Sequence, residues 1–326
     1  ALNEIVQSVN PINGWLQNCN ATPFTVAGKN SPQAANYPNY MAPDGENPRG
    51  LNAVKLLEGI DKINLDELIQ LGYNKHLAAF DILLPSLISE SRKVQENPNI
   101  EKGRQNAMMP EIEKAIKYLE DWNHDADTNS IAQTIAINWM TEMNNNPAGI
   151  AFTPSTEEEG TRLVKRLESF NEKNIDFKLY HLKAALSNLK GTYGTWEIPW
   201  GQINRYQRVN PGANFNDSLP SIPVAQTSSK FGQLPAFESK IMFPPNKPRT
   251  KKRYGYSGNS FVAAVSFGKR LEAKTIITGG QSRWANNQHF TDQAQRYIDG
   301  NFKTIHFYKE DVLKHKVTSY KPGFER

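Results

Sequence analysis

Three amide side chains stand close together near the start of the chain, at Gln17, Asn18 and Asn20, beside Trp15. A side-chain amide carries both an N–H donor and a carbonyl acceptor. At the end of a strand, such a donor can hold the oxygen on which negative charge develops during acyl transfer. The alternative is an ordinary turn, because Asn residues next to Gly and Pro are typical of turns. The residue types alone favour the turn.

The single cysteine, Cys19, lies inside the same segment and invites the hypothesis of a thiol nucleophile. A thiol reacts as its thiolate, which needs a nearby base or positive charge, and the flanking Asn18 and Asn20 supply neither. A buried free cysteine commonly serves as a small apolar residue. We therefore predict that Cys19 is not catalytic.

Histidines could indicate a metal site, but the six in this chain are scattered and lack HExxH or Cys/His ligand spacing. The run His124-Asp125-Ala126-Asp127 resembles a small metal-binding loop. One turn, however, supplies too few oxygens for a hard cation. The favoured interpretation is a polar turn and an N-cap before a helix at Ser130.

Composition is that of a globular chain. The 326 residues are 38% hydrophobic and 10% aromatic, with a formal net charge of +5. That apolar content excludes a disordered chain. No apolar run approaches the roughly 18 residues needed to span a bilayer. Length allows one large domain or two.

The basic excess is concentrated in one Pro-rich stretch that leads into two tyrosines. Its members are Lys247, Arg249, Lys251, Lys252 and Arg253, followed by Tyr254 and Tyr256. Basic residues among aromatics can bind a nucleic-acid backbone and stack bases. A single short cluster without any known nucleic-acid-binding motif instead favours a solvated loop between two strands, so nucleic acid is an unlikely partner.

The elements that position these residues form a helical middle between β-richer ends. Residues 50–190 are predicted to be mainly helical, and residues 1–49 and 191–326 richer in strands. Helical spacing and capping signals predict helices at 51–57, 65–71, 77–90, 111–122, 130–143, 155–170, 178–189 and 291–299. Two of them open with a capping box, Asn64 with Glu67 and Ser155 with Glu158.

Strand patterns occupy mainly the two ends of the chain. They predict strands at 15–20, 196–200, 201–206, 237–243, 260–267, 273–277 and 304–308. The run from Phe261 to Phe267 is almost continuously hydrophobic, which is typical of a strand covered on both faces. Residues 211–235 contain several prolines and are predicted to form a long loop.

Residues 10–24, NPINGWLQNCNATPF, resemble the asparagine segment in the β chain of the penicillin acylase family. These N-terminal-nucleophile (Ntn) amide hydrolases also include acyl-homoserine-lactone acylases and aculeacin-type acylases. Further matches keep the family's order along nearly the whole chain. They are Glu46-Asn47-Pro48-Arg49 and the helix after it, Tyr118 to Trp122, Ala126-Asp127, Asn129-Ser130, Trp200 to Arg205, Gly258 to Phe261, Gly280-Gln281-Ser282, His289-Phe290 and Asp292-Gln293.

The resemblance implies an α+β fold that forms part of the four-layer αββα sandwich of the Ntn hydrolases, with a helical lobe. It implies that Asn20 is the oxyanion-hole asparagine and that Arg49 helps to orient the site. For Arg49 a simpler alternative is an ion pair with Asp44 or Glu46 at the helix entry, which contributes little when exposed.

Three further residues match the family's closing signature. For these residues, His289, Asp292 and Gln281, structural hydrogen bonding is the simpler role. They are therefore not predicted to be catalytic.

The family's nucleophile is a Ser, less often Cys or Thr, that begins the β chain after self-cleavage and uses its own α-amine as base. Here the asparagine segment begins at Asn10, and Ala1 has no oxygen or sulfur to attack a carbonyl. We therefore expect residues 1–326 to be the C-terminal portion of a β subunit, inactive alone. The expected partners are the α chain and the N-terminal part of the β chain.

The implied activity is hydrolysis of an N-acyl amide such as an acyl-homoserine lactone, a lipopeptide or a β-lactam side-chain amide. The chemistry needs no cofactor. Some family members bind structural Ca²⁺ through the loop after the asparagine, where Asp44 and Glu46 lie here, but neither is assigned as a ligand. The implied location is periplasmic or secreted, without a membrane partner. The alternative is a non-catalytic binding or structural protein on an acylase scaffold.

Overall fold

The computed structural model describes residues 4–97, 109–145, 159–245, 248–321 and 323. The chain divides into a larger unit, Ala1–Asp61 with Tyr73–Gly258, and a smaller unit, Lys62–Gly72 with Asn259–Arg326. Each unit combines helices with a sheet, so the predicted α+β fold class is confirmed. None of the helices in the described ranges has the length and apolar character that crossing a bilayer requires.

The predicted helices correspond to observed ones wherever the structure describes them. The helices are α1 (Pro48–Leu57), α2 (Leu65–Gly72), α3 (Ala79–Glu96), α4 (Pro110–Glu120), α5 (Ile131–Asn145), α6 (Glu159–Asn171), α7 (Ile175–Tyr193), α8 (Trp200–Ile203), α9 (Ala294–Asp299) and α10 (Lys309–Lys314). The predicted capping box of Ser155 and Glu158 lies outside the described residues.

The capping box before α2 is confirmed. Asn64 Oδ1 accepts the backbone N–H groups of Asp66 at 3.0 Å and Glu67 at 2.9 Å. In return the Glu67 carboxylate accepts the N–H of Asn64 at 2.8 Å. Three N–H groups that the helix itself leaves unpaired are thereby satisfied by local side chains, which is why the sequence alone locates this end.

The helices of the larger unit share one apolar core. Its fully buried members include Leu83, Leu84 and Leu87 on α3, Ile135, Trp139 and Met140 on α5, and Leu182 on α7. Each such side chain contributes about 1.5–3 kcal/mol when it leaves water. The buried Trp139 also donates its indole N–H to the carbonyl of Lys178 at 3.1 Å, which joins α5 to α7.

Among the described residues each unit has one sheet. In the larger unit β1 (Asn204–Tyr206), β2 (Ile222–Pro223), β3 (Phe237–Ile241) and β4 (Arg253–Gly258) form a sheet in the order β2-β1-β4-β3. Of the pairs among these four strands, β1 with β4 is parallel and the others are antiparallel. In the smaller unit β5 (Phe261–Phe267), β6 (Leu271–Ile277) and β7 (Lys303–Thr304) form an antiparallel sheet in the order β5-β6-β7.

Several strand predictions are wrong because backbone groups find partners far along the chain. Residues 196–200 form no strand, and α8 occupies the first half of the predicted strand 201–206. Here the N–H of Trp200 donates to the Ser130 carbonyl at 3.1 Å, and that of Gly201 to the Thr128 carbonyl at 2.7 Å. These long-range bonds replace a strand ladder. The predicted strand 304–308 shrinks to Lys303–Thr304, and β2 interrupts the predicted loop 211–235.

Two further differences concern a strand that was not predicted, β4, and the exposure of another, β5. The glycine-containing β4 falls outside the strand predictions, and a Cβ on Gly255 would lie only 2.3 Å from the Phe237 ring. A neighbouring aromatic ring thus fills the space that a larger residue would need. The strand from Phe261 to Phe267 is not covered on both faces, since these end residues are 62% and 85% exposed and β5 lies at an edge of its sheet.

A Gly280→Ala substitution should lower the free energy of unfolding by about 2–3 kcal/mol, because its Cβ would meet backbone. That atom would lie 2.0 Å from the His289 carbonyl oxygen and 2.6 Å from Asp292 Oδ1. His289 Nδ1 also lies 2.8 Å from Asp292 Oδ2, at hydrogen-bond distance. Moving either residue to make room for the Cβ would therefore disturb this bond. Urea denaturation followed by circular dichroism measures the loss.

The matched control is Gly72→Ala at the end of α2, where an added Cβ meets nothing within 4 Å. It should leave the midpoint unchanged or raise it slightly, since Ala is the better helix former. Equal losses in the two variants would contradict the argument from close packing.

Candidate active site

The structure brings the two predicted site residues, Asn20 and Arg49, into direct contact. Arg49 lies in the first turn of α1, and its Nη2 donates to Asn20 Oδ1 at 2.5 Å. The same nitrogen donates to the Cys19 carbonyl oxygen at 2.9 Å. The arginine therefore binds both the backbone and the side chain of the asparagine segment.

This contact determines which way the Asn20 amide faces. A guanidinium has only donors, so its partner on Asn20 is the carbonyl oxygen rather than the amide nitrogen. Asn20 is exposed, and no hydrogen bond within the described ranges uses its Nδ2. The amide N–H is thus directed away from Arg49, where it is available to another acceptor.

The backbone at Asn20 is not a strand, contrary to the prediction for residues 15–20. Its φ is 55°, in the left-handed region that asparagine tolerates better than most residues. The Asn18 side chain accepts the Asn20 N–H at 2.8 Å, and this local bond competes with strand pairing. The turn interpretation is therefore correct for the backbone. The Asn20 side-chain N–H takes no part in the hydrogen bonds of this turn.

The third amide of the cluster holds the segment in place from its other side. The Gln17 backbone N–H donates to the Val26 carbonyl at 2.9 Å, and its side-chain amide reaches the Thr25 carbonyl at 3.5 Å. Asn13 adds a bond from its amide to the Ala27 carbonyl at 3.0 Å. The side-chain N–H groups of Gln17 and Asn13 are thus used for structure, whereas in the described residues those of Asn18 and Asn20 make no hydrogen bond.

Asn47 is a residue of this site that the sequence analysis missed. It is the N-cap of α1, and its Oδ1 accepts the Gly50 N–H at 2.9 Å. Its Nδ2 donates to the carbonyls of Cys19 at 3.0 Å and Asn20 at 3.1 Å. One side chain thus begins the helix and fastens it to the asparagine segment. Asn before Pro48 is a recognisable N-cap signal, but its second attachment is visible only in three dimensions.

The simpler role considered for Arg49 is not what the structure shows. In the described part of the chain no ion pair joins Arg49 to Asp44 or Glu46. The Glu46 carboxylate instead accepts the N–H of Asn47 at 2.9 Å. Neither acidic residue belongs to a group of three or more His, Cys, Asp or Glu side chains that could hold a metal ion within the described residues.

Cys19 is half-buried beside Arg49. Burial raises the pKa of the Cys19 thiol, and the nearby Arg49 charge offsets this only in part. The protonated thiol is a poor nucleophile. Its environment therefore supports the prediction that Cys19 is not catalytic.

The basic stretch and the N-cap residue Ser130 both take part in hydrogen bonds that stabilise local structure. The backbone N–H groups of Lys251 and Lys252 donate to the Asp217 carboxylate at 2.7 and 3.2 Å, so this part of the basic stretch is an anchored loop between β3 and β4. Ser130 Oγ accepts the Gln133 N–H at 3.0 Å, which confirms the predicted N-cap before α5.

Comparison with known proteins identifies the family to which this chain belongs. The family model described as penicillin amidase matches residues 1–314, and the chain belongs to that family. The resemblance drawn from the sequence motifs is therefore confirmed. A solved structure, thermostable penicillin G acylase from Alcaligenes faecalis, is similar at 15% sequence identity and a TM-score of 0.45, over 85% of this chain and 52% of that chain. The present chain thus spans about half the length of that acylase.

Proposed function

We propose that this chain is part of an amide hydrolase that cleaves N-acyl amides through an acyl-enzyme, with Asn20 as a donor to the oxyanion. The observation that carries the proposal is the Arg49–Asn20 hydrogen bond, which turns the Asn20 N–H outward. Membership of the penicillin amidase family supports the class of reaction.

In the proposed mechanism, the nucleophile is an N-terminal Ser of the whole protein, outside residues 1–326, with its own α-amine as base. Its attack on the amide carbonyl gives a tetrahedral oxyanion that accepts the Asn20 Nδ2–H. Collapse of this intermediate expels the amine, and water then hydrolyses the acyl ester. The donor acts because it is already oriented, so little reorganisation accompanies the charge.

Arg49 acts in this proposal as a positioning residue rather than as a group that touches the substrate. Its charged donor binds the oxygen end of the Asn20 amide and polarises it, which strengthens the N–H at the other end. The bond from Asn47 to the Asn20 carbonyl holds the same backbone from α1. The donor is thus supported by two residues from one helix end.

The substrate class is proposed from the family: an acyl-homoserine lactone, a lipopeptide or a β-lactam side-chain amide. The partners are the rest of the acylase, namely the α chain and the N-terminal part of the β chain, in the periplasm or outside the cell. No cofactor takes part in the chemistry, although the whole protein could use Ca²⁺ for structure. The competing proposal is a protein that binds acyl amides without hydrolysing them.

The test is an assay of the whole protein, isolated with the chains that accompany it, against a panel of these three amide types. We expect amine release and, by mass spectrometry of quenched samples, an acyl group on one N-terminal residue. Failure to hydrolyse any acyl amide by correctly processed protein would overturn the proposal. Binding without turnover would favour the competing one.

Arg49→Ala should lower kcat by about 10- to 100-fold and leave KM nearly unchanged, because a charge-assisted hydrogen bond contributes about 1.5–3 kcal/mol. Arg49→Lys should recover only part of the loss, since an ammonium keeps the charge but lacks the planar fork. Steady-state kinetics on the best substrate measures both variants.

The control is Arg270→Ala, which removes exposed ion pairs to Glu310 and Asp311 in the smaller unit. It should leave kcat unchanged. Full recovery in Arg49→Lys would show that charge alone suffices, and an unaltered kcat in Arg49→Ala would exclude the positioning role.

A further inference from the structure

A second group of chemically capable side chains lies in the larger unit, away from the Asn20–Arg49 pair along the chain. It consists of His76 in the loop before α3, Asp81 in the first turn of α3, and His124 in the turn after α4. One ligand atom from each lies within 4.8 Å of the other two. His76 Nε2 is 2.8 Å from Asp81 Oδ2, and His124 Nδ1 is 2.6 Å from Asp81 Oδ1.

We propose that His76, Asp81 and His124 bind a divalent transition-metal ion, of which Zn²⁺ fits best. Two imidazole nitrogens and one carboxylate oxygen are a donor set found in catalytic zinc sites, and imidazole ligands also suit Fe, Cu and Ni. Ca²⁺ and Mg²⁺ fit poorly, since they require mostly oxygen ligands. Three protein ligands leave a fourth tetrahedral position for water.

A fourth residue orients the first ligand. The other ring nitrogen of His76, Nδ1, lies 3.2 Å from Asp125 Oδ1. A histidine that binds a metal usually donates its second N–H to a carboxylate in this way, which fixes the tautomer and aims the free lone pair. In the tautomer in which Nδ1 carries the proton and donates to Asp125, the Nε2 lone pair is directed at the position beside Asp81.

The orienting carboxylate is itself held. Asp125 Oδ2 accepts the amide of Asn123 at 3.1 Å, and the Asp125 carbonyl accepts the indole N–H of Trp122 at 3.0 Å. The backbones of His76 and Asp125 also pair as an isolated antiparallel bridge. The two loops that carry the histidines are therefore joined before any ion binds, so little order remains to be created on binding.

The loop that carries His76 is also hydrogen-bonded to α1. The Asn52 amide, on α1, donates to the His76 carbonyl at 3.3 Å and to Asn74 Oδ1 at 3.1 Å. The charge balance favours a cation, because the Asp81 carboxylate contacts both histidines and the Asp125 carboxylate lies behind His76. One positive group competes: Lys55 Nζ lies 3.7 Å from Asp81 Oδ2, but its side chain is 71% exposed and can turn into solvent.

The test is a calorimetric titration of the metal-free whole chain with Zn²⁺ alone. We expect one high-affinity Zn²⁺ per chain, a rise in Tm on binding, and loss of both effects in His124→Asn. Asp125→Asn should weaken binding by about 10- to 100-fold, as loss of an orienting carboxylate does. Lys55→Gln should tighten it by about three- to tenfold, because a competing positive charge is removed.

The matched control is His289→Asn, since His289 also pairs with one carboxylate, Asp292 at 2.8 Å, but has no second histidine in a three-ligand group of the described residues. It should bind Zn²⁺ as the wild type does. Equal high-affinity binding by His124→Asn, or none by the wild type, would overturn the proposal.

A spectroscopic measurement on the wild-type protein tests the site without relying on variants, which could fail to fold. Co²⁺ titrated into the metal-free wild type should give the intense visible absorption of a tetrahedral ion, and added Zn²⁺ should abolish it. A weak octahedral spectrum that Zn²⁺ does not change would contradict the site. None of these readouts depends on amide hydrolysis, so the metal site is tested independently of the proposed function.

Discussion

Replacing Asn20 by Ala should lower kcat by about 100- to 1,000-fold on the best N-acyl amide, with little change in KM. The proposed oxyanion carries its full charge only during turnover, so its donor matters little to substrate binding. Arg49 already holds the Asn20 amide with the N–H outward. Removing the amide therefore removes a preorganised donor rather than a mobile one.

Asn20→Asp makes the prediction more specific. The aspartate keeps the size of the side chain and can still accept from Arg49, but it offers a second oxygen where the amide offers an N–H. The loss in kcat should be at least as large as for Ala. Wild-type kcat in Asn20→Asp would show that the Asn20 N–H donor is not needed for turnover.

The control for both variants is Asn188→Ala on α7. Asn188 is exposed like Asn20 and makes one side-chain bond to a charged residue, donating to Glu142 at 2.8 Å. Its loss should leave kcat and KM unchanged. Kinetics on the whole protein, with circular dichroism to verify folding, separates a catalytic loss from a general one.

Glu90→Gln should lower the free energy of unfolding by about 3 kcal/mol, because it leaves a buried ammonium without its counter-charge. The Lys178 side chain is only 1% exposed and lies 2.9 Å from the Glu90 carboxylate. It also donates to Ser86 Oγ at 3.0 Å and to the Asn171 carbonyl at 2.9 Å. Since Glu90 is 32% exposed, we place the loss at the lower end of the range for buried pairs.

Lys178→Met should cost less than Glu90→Gln, because it removes the buried charge and fills the space with an apolar side chain. Adding Lys178→Met to Glu90→Gln should therefore recover part of the lost stability. Urea denaturation of the single and double variants measures this coupling.

A surface pair between two helices of the same unit provides the comparison. Lys190 on α7 and Glu111 on α4 lie 2.8 Å apart, with side chains 58% and 54% exposed. Glu111→Gln should change stability by less than about 1 kcal/mol. Similar losses in Glu111→Gln and Glu90→Gln would show that burial of Lys178 does not set the cost.

Local patterns predicted the helices well because their signals act within a few residues. Asn64 and Glu67 cap α2 through bonds that span three residues, and Gly300 ends α9 at a φ of 69°. Strands were predicted less well. The glycines of β4 weaken its pattern, and the ring that covers Gly255 comes from Phe237 on the neighbouring strand.

Buried charge is another feature that local patterns do not reveal. On the sequence, Lys178 is one lysine on a helix with several, and its burial results from α3 and α6 residues that surround its Nζ. The same holds for the His76, Asp81 and His124 group. Its members come from two loops and a helix, and the sequence pattern around His124 shows only one of them.

For the candidate active site, the sequence alone determined the family and indicated Asn20 and Arg49 as candidate site residues, since motif order survives in the linear chain. Only the tertiary structure decided that Arg49 binds the oxygen of Asn20, that Asn47 fastens α1 to this segment, and that the Asn20 N–H faces outward. These bonds join residues 27 to 30 positions apart. Such pairs meet only once the chain has packed, because no local signal specifies the orientation of a side-chain amide.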